Sequence, residues 1–219
     1  MQFMGSAMRL PHAQGMFRDR LVVPAPQCVP VADGVTAAEV ACTEPLAVCL
    51  HAISRAGDLA GKKVLVTGAG PIGALVVAAA RHAGAGEIIV TDLMDAALER
   101  ALAMGAMTGI NVARDGARLA AYEAGKGYFD LAFECSAAAP AIRTAIASVR
   151  PRGRIVQVGV TGDISVPLNA LVGKELDWTG SQRFDGEFAV AAKLIGTREI
   201  DVRPIISHSF PIEEAVTAF

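Results

Sequence analysis

Residues 62–73 read KKVLVTGAGPIG and carry the strongest structural signal in the chain. The apolar run from Val64 to Val66 predicts a buried β-strand, and the three glycines that follow predict a tight turn. Pro71 suits the first turn of a helix, where its missing N–H costs no hydrogen bond. A glycine-rich turn between a strand and a helix is the first half of the dinucleotide-binding fingerprint G-x-G-x-x-G.

The second half of that fingerprint is an acidic residue at the end of the next strand, EIIVTD, where Asp92 follows Gly73 by 19 residues. The first glycine permits the turn, the second lets the backbone approach a pyrophosphate, and the third allows helix–strand packing. The helix N-terminus offers free N–H groups and partial positive charge to phosphates. The sequence therefore predicts six cofactor-binding residues: Gly68, Gly70, Pro71, Ile72, Gly73 and Asp92.

Asp92 also bears on the choice of cofactor, because a carboxylate accepts hydrogen bonds from ribose hydroxyls and repels a 2′-phosphate. The next residues, 93–95, include no arginine, so NAD is favoured over NADP. Two other interpretations stay open. The glycines could form an ordinary turn with Asp92 capping a helix. They could also belong to a methyltransferase, although a Pro-Ile-Gly entry into an alanine-rich helix disfavours that class.

Apolar strands alternate with helical segments through the middle of the chain, and a helix interrupted at Pro45 is predicted over 36–55. Strands that are apolar on both faces and separated by helices indicate a parallel sheet covered on both sides. The predicted fold class is therefore α/β, a Rossmann-type doubly wound parallel sheet with helices on both faces. The predicted strands are Phe17–Val23, KKVLVTG, EIIVTD, TGINV, FDLAFEC, GRIVQVG and a segment near 175–181.

Composition and charge exclude several classes of function. The 219 residues include 20 Lys and Arg against 22 Asp and Glu, so no basic surface for nucleic acid or for a membrane is expected. The longest uncharged stretch, 64–80, contains glycines and a proline and is too short for a membrane span. The N-terminus lacks the apolar core of a signal peptide. The four cysteines form no C-x-x-C motif, which predicts reduced thiols and a cytoplasmic location.

Three segments together, EPLAVCLHA at 44–52, GKKVLVTGAGPIG at 61–73 and GSQRF at 180–184, resemble the zinc-dependent medium-chain dehydrogenase/reductase family. With FMGSAMRLPHAQG at 3–15, they are most similar to its sorbitol (polyol) dehydrogenase branch, and especially to L-idonate 5-dehydrogenases. The resemblance covers essentially the whole chain. It implies NAD-dependent oxidation of a secondary alcohol of a polyol or sugar acid to a ketone, assisted by a catalytic zinc.

The resemblance also implies roles for two side chains. Glu44 matches a glutamate that ligates the catalytic zinc or orients its water, which makes it a predicted catalytic and metal-binding residue. Arg183 matches an arginine that hydrogen-bonds substrate hydroxyls, and it would also attract a sugar-acid carboxylate. Alternatively, Glu44 is an acid at a helix N-terminus, and Arg183 pairs on the surface with Asp185 or Glu187. Of the neighbouring side chains, Cys42, Cys49 and Phe184 are interpreted as packing residues, and His51 lies two helical turns from Glu44.

By the same resemblance, the loops after the fourth and fifth strands contact the nicotinamide and its ribose, largely through backbone atoms. The cofactor-binding residues implied there are Cys135, Ser136, Val158 and Gly159. A nucleophilic Cys135 is the competing interpretation, but hydride transfer needs no nucleophile. Ala97 departs from the family pattern, which often has Arg or Lys at that position near the adenosine.

The resemblance implies three segments: 1–43 from a mainly β, GroES-like catalytic domain, 44–184 as the NAD-binding domain, and 185–219 as a helix and the return to the catalytic domain. Because the family's Cys and His-Glu zinc ligands find no match, the chain is expected to be a fragment that lacks the N-terminal zinc-ligand region and the extreme C-terminus. A non-catalytic NAD-binding module, a zinc-independent reductase, and another medium-chain enzyme such as sorbitol or threonine dehydrogenase are the alternatives. Expected partners are a polyol or aldonate substrate and, through the edge strand at 175–181, further copies in a homodimer or homotetramer.

Overall fold

The structure, a computed structural model, describes residues 4–5 and 10–218. The chain divides into two compact units, one made of 31–207 and the other of the two chain ends, 1–30 and 208–219. All the predicted site residues fall in the first unit, which contains a six-stranded sheet.

The sheet of the 31–207 unit is entirely parallel, with the strand order β3-β2-β1-β4-β5-β6. The chain builds outward from β1 in one direction and then returns to the other side of β1, so the strand order reverses between β1 and β4. Ligands of open α/β sheets bind at such a reversal, outside the carboxyl ends of the strands. The strands are β1 (Lys63–Thr67), β2 (Glu87–Asp92), β3 (Thr108–Asn111), β4 (Phe129–Glu134), β5 (Val149–Gln157) and β6 (Asp177–Gly180).

Ten α-helices occur in the described residues, and the longer ones cover the sheet. No helix of that part of the chain is both long and apolar enough to cross a bilayer. The helices are α1 (Ala37–Ala41), α2 (Thr43–Ala56), α3 (Pro71–His82), α4 (Asp95–Ala103), α5 (Val112–Asp115), α6 (Ala120–Glu123), α7 (Ala139–Ser148), α8 (Leu168–Lys174), α9 (Glu187–Gly196) and α10 (Ala215–Ala218).

Two apolar clusters lie on the two faces of the sheet. Val64 and Val66 of β1 belong to the cluster that includes buried residues of α2, α3, α4 and α9. Leu65, between them, belongs to the cluster that includes Ile142 and Ile146 of α7. Because alternate residues of a strand point to opposite faces, β1 is buried on both sides. This arrangement confirms the predicted doubly wound α/β fold.

The helical region before β1 differs from the prediction. Pro45 does not interrupt a helix, since it lies in the first turn of α2, where its missing N–H leaves no hydrogen bond unmade. The break falls instead at Cys42, between α1 and α2. The start of α1 is defined by a capping box in which the side chains of Thr36 and Glu39 each accept the other's backbone N–H.

The described part of the unit formed by the chain ends contains no β-strand, so the predicted strand at Phe17–Val23 is wrong. A β-strand needs a neighbouring strand to satisfy its backbone groups, and this segment has none among the described residues. The predicted boundaries at 43/44 and 184/185 lie inside the 31–207 unit. The assignment of the flanking segments to a GroES-like catalytic domain stays a prediction.

Candidate dinucleotide-binding site

The turn between β1 and α3 requires glycine at two positions. Gly68 has φ +89°, and a Cβ at this position would lie 2.9 Å from the backbone nitrogen of Ser136. A Cβ on Gly73 would lie 1.8 Å from the carbonyl oxygen of Gly68. A Cβ on Gly70, in contrast, would meet no heavy atom within 4 Å. The first and third glycines therefore allow close packing, and the second leaves open space above the backbone.

The N-terminus of α3 faces this turn. The helix begins at Pro71, Gly70 is its N-cap, and no side chain caps it. Ile72 and Gly73 follow in the first turn, whose N–H groups have no acceptor within the helix. This combination of open glycine backbone and uncapped N–H groups suits a phosphate group.

Asp92 ties the second strand to the glycine turn. Its Oδ2 accepts the backbone N–H of Ala69 at 2.7 Å, and its Oδ1 accepts the N–H of Met94 at 2.9 Å. The carboxylate therefore holds the turn and also Met94, the N-cap residue of α4. No side chain caps α4, so Asp92 does not cap that helix as the helix-capping interpretation predicted. The carboxylate is only partly buried, so its remaining lone pairs can still accept hydrogen bonds from a ligand.

A cavity of about 490 Å³ opens beside Asp92 at the carboxyl end of the sheet. Its wall is largely apolar, with a few polar groups, which is typical of sites for cofactors. It brings together the glycine turn, the end of β2 and the loop after β4. The lining residues are Gly68, Thr91, Asp92, Leu93, Val112, Leu119, Ser136, Ala138, Pro140, Ala141 and Thr144.

The loop after β4 is organised by a residue that the sequence analysis missed. Glu134, the last residue of β4, is fully buried. Its Oε1 accepts the Ser136 N–H at 2.8 Å, the Ser136 hydroxyl at 2.5 Å and the Ala137 N–H at 3.0 Å. Its Oε2 accepts Nε2 of Gln157 at 2.5 Å. A charged residue inside a strand predicted to be buried on both faces was the available signal.

The four loop residues implied by the resemblance lie around that carboxylate. The N–H groups of Val158 and Gly159 both donate to the carbonyl oxygen of Glu134, at 2.9 and 2.8 Å. Ser136 lines the cavity, whereas Cys135 is partly buried. Burial, followed by the negative charge of Glu134, raises the pKa of the Cys135 thiol. A thiol held in its protonated form is a poor nucleophile, which argues against the competing interpretation.

The residues around Glu44 occupy α2. Glu44 lies in the first turn with an exposed side chain, as the helix-terminus interpretation also predicts. Cys42 and Cys49 are buried, which confirms their interpretation as packing residues, and burial is the main reason why the pKa of Cys49 is raised. His51 Nδ1 lies 2.8 Å from Oε1 of Glu187 in α9. Within 4–5 and 10–218, no group of three or more His, Cys, Asp or Glu side chains is placed to hold a metal ion.

Arg183 and Phe184 follow β6. Arg183 is partly buried and has φ +57°, an unusual conformation for a residue other than glycine. Phe184 packs against the core cluster on the α2 face, with its ring centroid 5.7 Å from that of Phe188, which confirms its packing role. Ala97 is buried within α4, so that position faces the core. The predicted roles of Glu44 and Arg183 stay predictions.

Comparison with known proteins adds a family. The profile of the family described as zinc-binding dehydrogenase matches residues 71–197. L-idonate 5-dehydrogenase (NAD(P)(+)) of Escherichia coli strain K12 is 39% identical over 220 residues, which cover 99% of this chain and 64% of that protein. Sorbitol dehydrogenase of Homo sapiens is 34% identical over 197 residues, which cover 88% of this chain and 55% of that protein.

A solved structure agrees with those relatives. The crystal structure of L-idonate 5-dehydrogenase from Escherichia coli K-12 matches with a TM-score of 0.96 at 38% identity, over 99% of this chain and 62% of that one. The chain therefore spans just under two thirds of the length of this relative and about half of the human one. The resemblance drawn from the three sequence segments is confirmed.

Proposed function

Because this chain belongs to the zinc-binding dehydrogenase family, we propose that its 31–207 unit binds NAD as the cofactor domain of a polyol or sugar-acid dehydrogenase. The reaction proposed for the whole protein is oxidation of a secondary alcohol to a ketone. L-idonate is the proposed substrate, because the most extensive of the matches described above is to an L-idonate 5-dehydrogenase.

One observation carries the proposal of a dinucleotide. The glycine turn and Asp92 meet at the strand-order reversal, and the Ala69 N–H bond to Asp92 Oδ2 joins them directly. A pyrophosphate above Gly70 would meet the uncapped N-terminus of α3. The adenosine ribose would then lie beside Asp92, on the β2 side of the reversal. The nicotinamide half would extend to the β4–β5–β6 side, since the fold has one mononucleotide half on each side.

In this reaction, bound NAD supplies the hydride acceptor. The residues of the chain bind and orient it. Gly70 permits close approach of the backbone to the pyrophosphate. Asp92 accepts hydrogen bonds from the ribose hydroxyls and repels a 2′-phosphate. Arg183 is the proposed partner for substrate hydroxyls or a carboxylate. The described residues place no metal-binding group around Glu44, so they do not build a zinc site by themselves.

The test has two stages. The purified 219-residue chain is titrated with NADH, and NADH formation is then followed with zinc present on L-idonate, sorbitol and threonine. NADH binding with turnover on L-idonate supports the whole proposal. Binding without turnover on any substrate supports the cofactor domain alone, that is, a dinucleotide-binding module. Absence of NADH binding overturns the proposed function, and a marked preference for NADPH overturns the proposed role of Asp92.

We also propose that the protein forms homodimers or homotetramers through the edge strand β6. This strand pairs with β5 on one side and has no second neighbour among the strands of the described residues. An unpaired strand edge favours association with another strand. Sedimentation velocity tests this, and a monomer at micromolar concentration would contradict it.

A further inference from the structure

The buried carboxylate of Glu134 connects two loops that come from different strands. On one side it accepts both donors of Ser136 and the N–H of Ala137, so it determines how the chain leaves β4. On the other side it accepts Nε2 of Gln157, the last residue of β5. The two residues are direct neighbours across the sheet, because Glu134 and Gln157 are register partners in the β4–β5 pair.

Gln157 connects the Glu134 carboxylate to the loop after β5. Its Nε2 donates to the carbonyl oxygen of Gly159 at 2.9 Å as well as to Glu134. Both N–H bonds of the amide nitrogen are therefore used, which fixes the plane of the side chain. The Gly159 backbone also packs closely on the loop after β4, since a Cβ on Gly159 would lie 2.6 Å from the Ala137 nitrogen. The 158–159 segment is thus held by two backbone bonds to the Glu134 carbonyl oxygen and by the side-chain pair beneath it.

The position of this pair in the sheet indicates which half of the cofactor depends on it. Glu134 and Gln157 end β4 and β5, on the opposite side of the strand-order reversal from Asp92. Within the Rossmann arrangement, that side belongs to the second mononucleotide half, which carries the nicotinamide. The loop after β4 also contributes Ser136 to the cavity beside Asp92, where Glu134 holds it through Oε1.

We propose that Glu134 and Gln157 are positioning residues that act as a pair, and that the bond between them holds the 158–159 loop in the conformation that binds the nicotinamide ring of the cofactor. The inference rests on the proposed function, since it presumes that the site binds NAD. It assigns to a buried Glu–Gln pair a role in cofactor binding, without direct contact between either side chain and the cofactor.

The experiment compares two ligands by titration of the full chain. NADH probes both halves of the site, and ADP-ribose lacks only the nicotinamide. Gln157→Leu removes both donations from Nε2 and leaves Ser136 and Ala137 bonded to Glu134. We expect it to weaken NADH binding about tenfold, the effect of losing one hydrogen bond to a charged group. ADP-ribose binding should stay within about twofold of wild type.

A second variant keeps the proposal open to test if Gln157→Leu folds poorly. In Glu134→Gln, the remaining oxygen can still accept from Ser136 and Ala137, but the new amide nitrogen would face Nε2 of Gln157. Two donors cannot bond, so the Gln157 amide must turn and lose its bond to the carbonyl oxygen of Gly159. This variant should reproduce the selective loss of NADH affinity. The double variant should lose no more than the worse single variant, since the two residues act as one unit.

Glu39→Gln is the matched control, because Glu39 is also a buried carboxylate and is bonded to Thr36 and Arg198, away from the proposed site. It should lower thermal stability and leave the affinity for both ligands unchanged. Equal losses for NADH and ADP-ribose in the Gln157 and Glu134 variants, no loss for either, or fully additive losses in the double variant would each overturn the proposal. Failure of the wild-type chain to bind NADH would instead overturn the proposed function on which it rests.

Discussion

Carboxylate side chains have different partners at the two ends of the parallel strands. At the carboxyl end, Asp92 accepts the backbone N–H groups of Ala69, in the turn after β1, and of Met94, in the loop after its own strand. Glu134 accepts the backbone N–H groups of Ser136 and Ala137, in the loop after β4. At the amino end of the strands, Asp177 pairs with the guanidinium of Arg154 at 2.9 Å, and 68% of the Asp177 side chain is exposed. A carboxylate bonded to backbone N–H groups determines how a loop is folded, whereas an exposed ion pair contributes little to stability. The proposed cofactor lies at the carboxyl end, where these carboxylates hold the loops in place.

Asp130 shows that the role of a carboxylate depends on its bonding partner and not only on the end of the strand at which it lies. Asp130 lies near the amino end of β4. Its Oδ2 nevertheless accepts the backbone N–H of Lys63 at 2.8 Å, while its Oδ1 accepts a hydrogen bond from Nε of Arg150. It thus joins β1 to β4 at the end opposite the site. If carboxylates bonded to backbone N–H groups stabilise the fold more than exposed ion pairs do, substitution of Asp130 should lower the free energy of unfolding, as for Asp92 and unlike Asp177.

The largest expected effect separates two glycines of the same turn. Gly73→Ala places a Cβ 1.8 Å from the Gly68 carbonyl oxygen, so the packing of α3 on β1 must shift. We expect the free energy of unfolding to fall by at least about 3 kcal/mol, measured by urea denaturation.

Gly70→Ala is the control for that change, since its Cβ has open space and its φ of −59° is ordinary for alanine. The fold should keep its stability within about 1 kcal/mol. NADH affinity should nevertheless fall by about tenfold or more, because the methyl group fills the approach to the pyrophosphate. Similar unfolding curves for the two alanine variants would contradict the packing argument.

The next effect concerns Asp92. Asp92→Asn leaves one of the two loop N–H groups facing an amide nitrogen, so we expect a loss of about 1–2 kcal/mol in unfolding free energy. Removal of the charge should also narrow the preference for NADH over NADPH by roughly tenfold. Titration with both cofactors measures this. Asp95→Asn, which removes a carboxylate bonded to side chains only, is the comparison and should leave the preference within about twofold.

A smaller effect with a defined pH dependence is expected at Asp130. Burial by itself would raise its pKa, but the Lys63 N–H and the Arg150 guanidinium outweigh burial and hold the pKa below its usual value. A carboxylate with a lowered pKa stabilises the fold above its unfolded pKa, and that stability is lost as the pH falls through the folded value.

Asp130→Asn should therefore lower the free energy of unfolding by about 1 kcal/mol at pH 7. The gap to wild type should hold down to about pH 4 and close as the pH falls further. Denaturation curves at several pH values measure it. A gap that is equally wide at pH 7 and in strong acid would show that the carboxylate charge does not contribute.

The smallest effect is expected for the exposed pair. Asp177→Asn should change the unfolding free energy by less than about 1 kcal/mol, and the change should shrink further in high salt. A loss as large as that of Asp92→Asn would remove the distinction between the two kinds of carboxylate. The comparison is made by urea denaturation of both variants in the same buffers.

The sequence predicted those features that depend on neighbouring residues. The local sequence of 62–73 was sufficient to predict the strand, the glycine turn and a helix with Pro71 in its first turn, and that helix is found at Pro71–His82. The alternation of apolar strands and helices was sufficient for the doubly wound sheet. The strand at Phe17–Val23 was wrong because apolar composition does not provide a neighbouring strand.

The Glu134–Gln157 pair could not be predicted in the same way. The two residues lie 23 positions apart, and they meet only because the register of β4 and β5 makes them partners. The sequence shows a polar residue in each of two apolar strands, but it does not show the register. The same limit applies to Glu44 and Arg183, whose predicted roles depend on side chains brought together by the whole fold.

The central position of β1 has a consequence for the newly made chain. Thr67 of β1 pairs with Thr91 of β2, but its other neighbour, Glu134, is synthesised 67 residues after it. At about 5–20 residues per second, the ribosome adds those residues in roughly 3–13 seconds. During that time β1, which is buried on both faces in the folded chain, has one unpaired edge. We therefore expect ribosome-bound intermediates ending before β4 to depend on chaperones, and those that extend beyond β5 to be released from them.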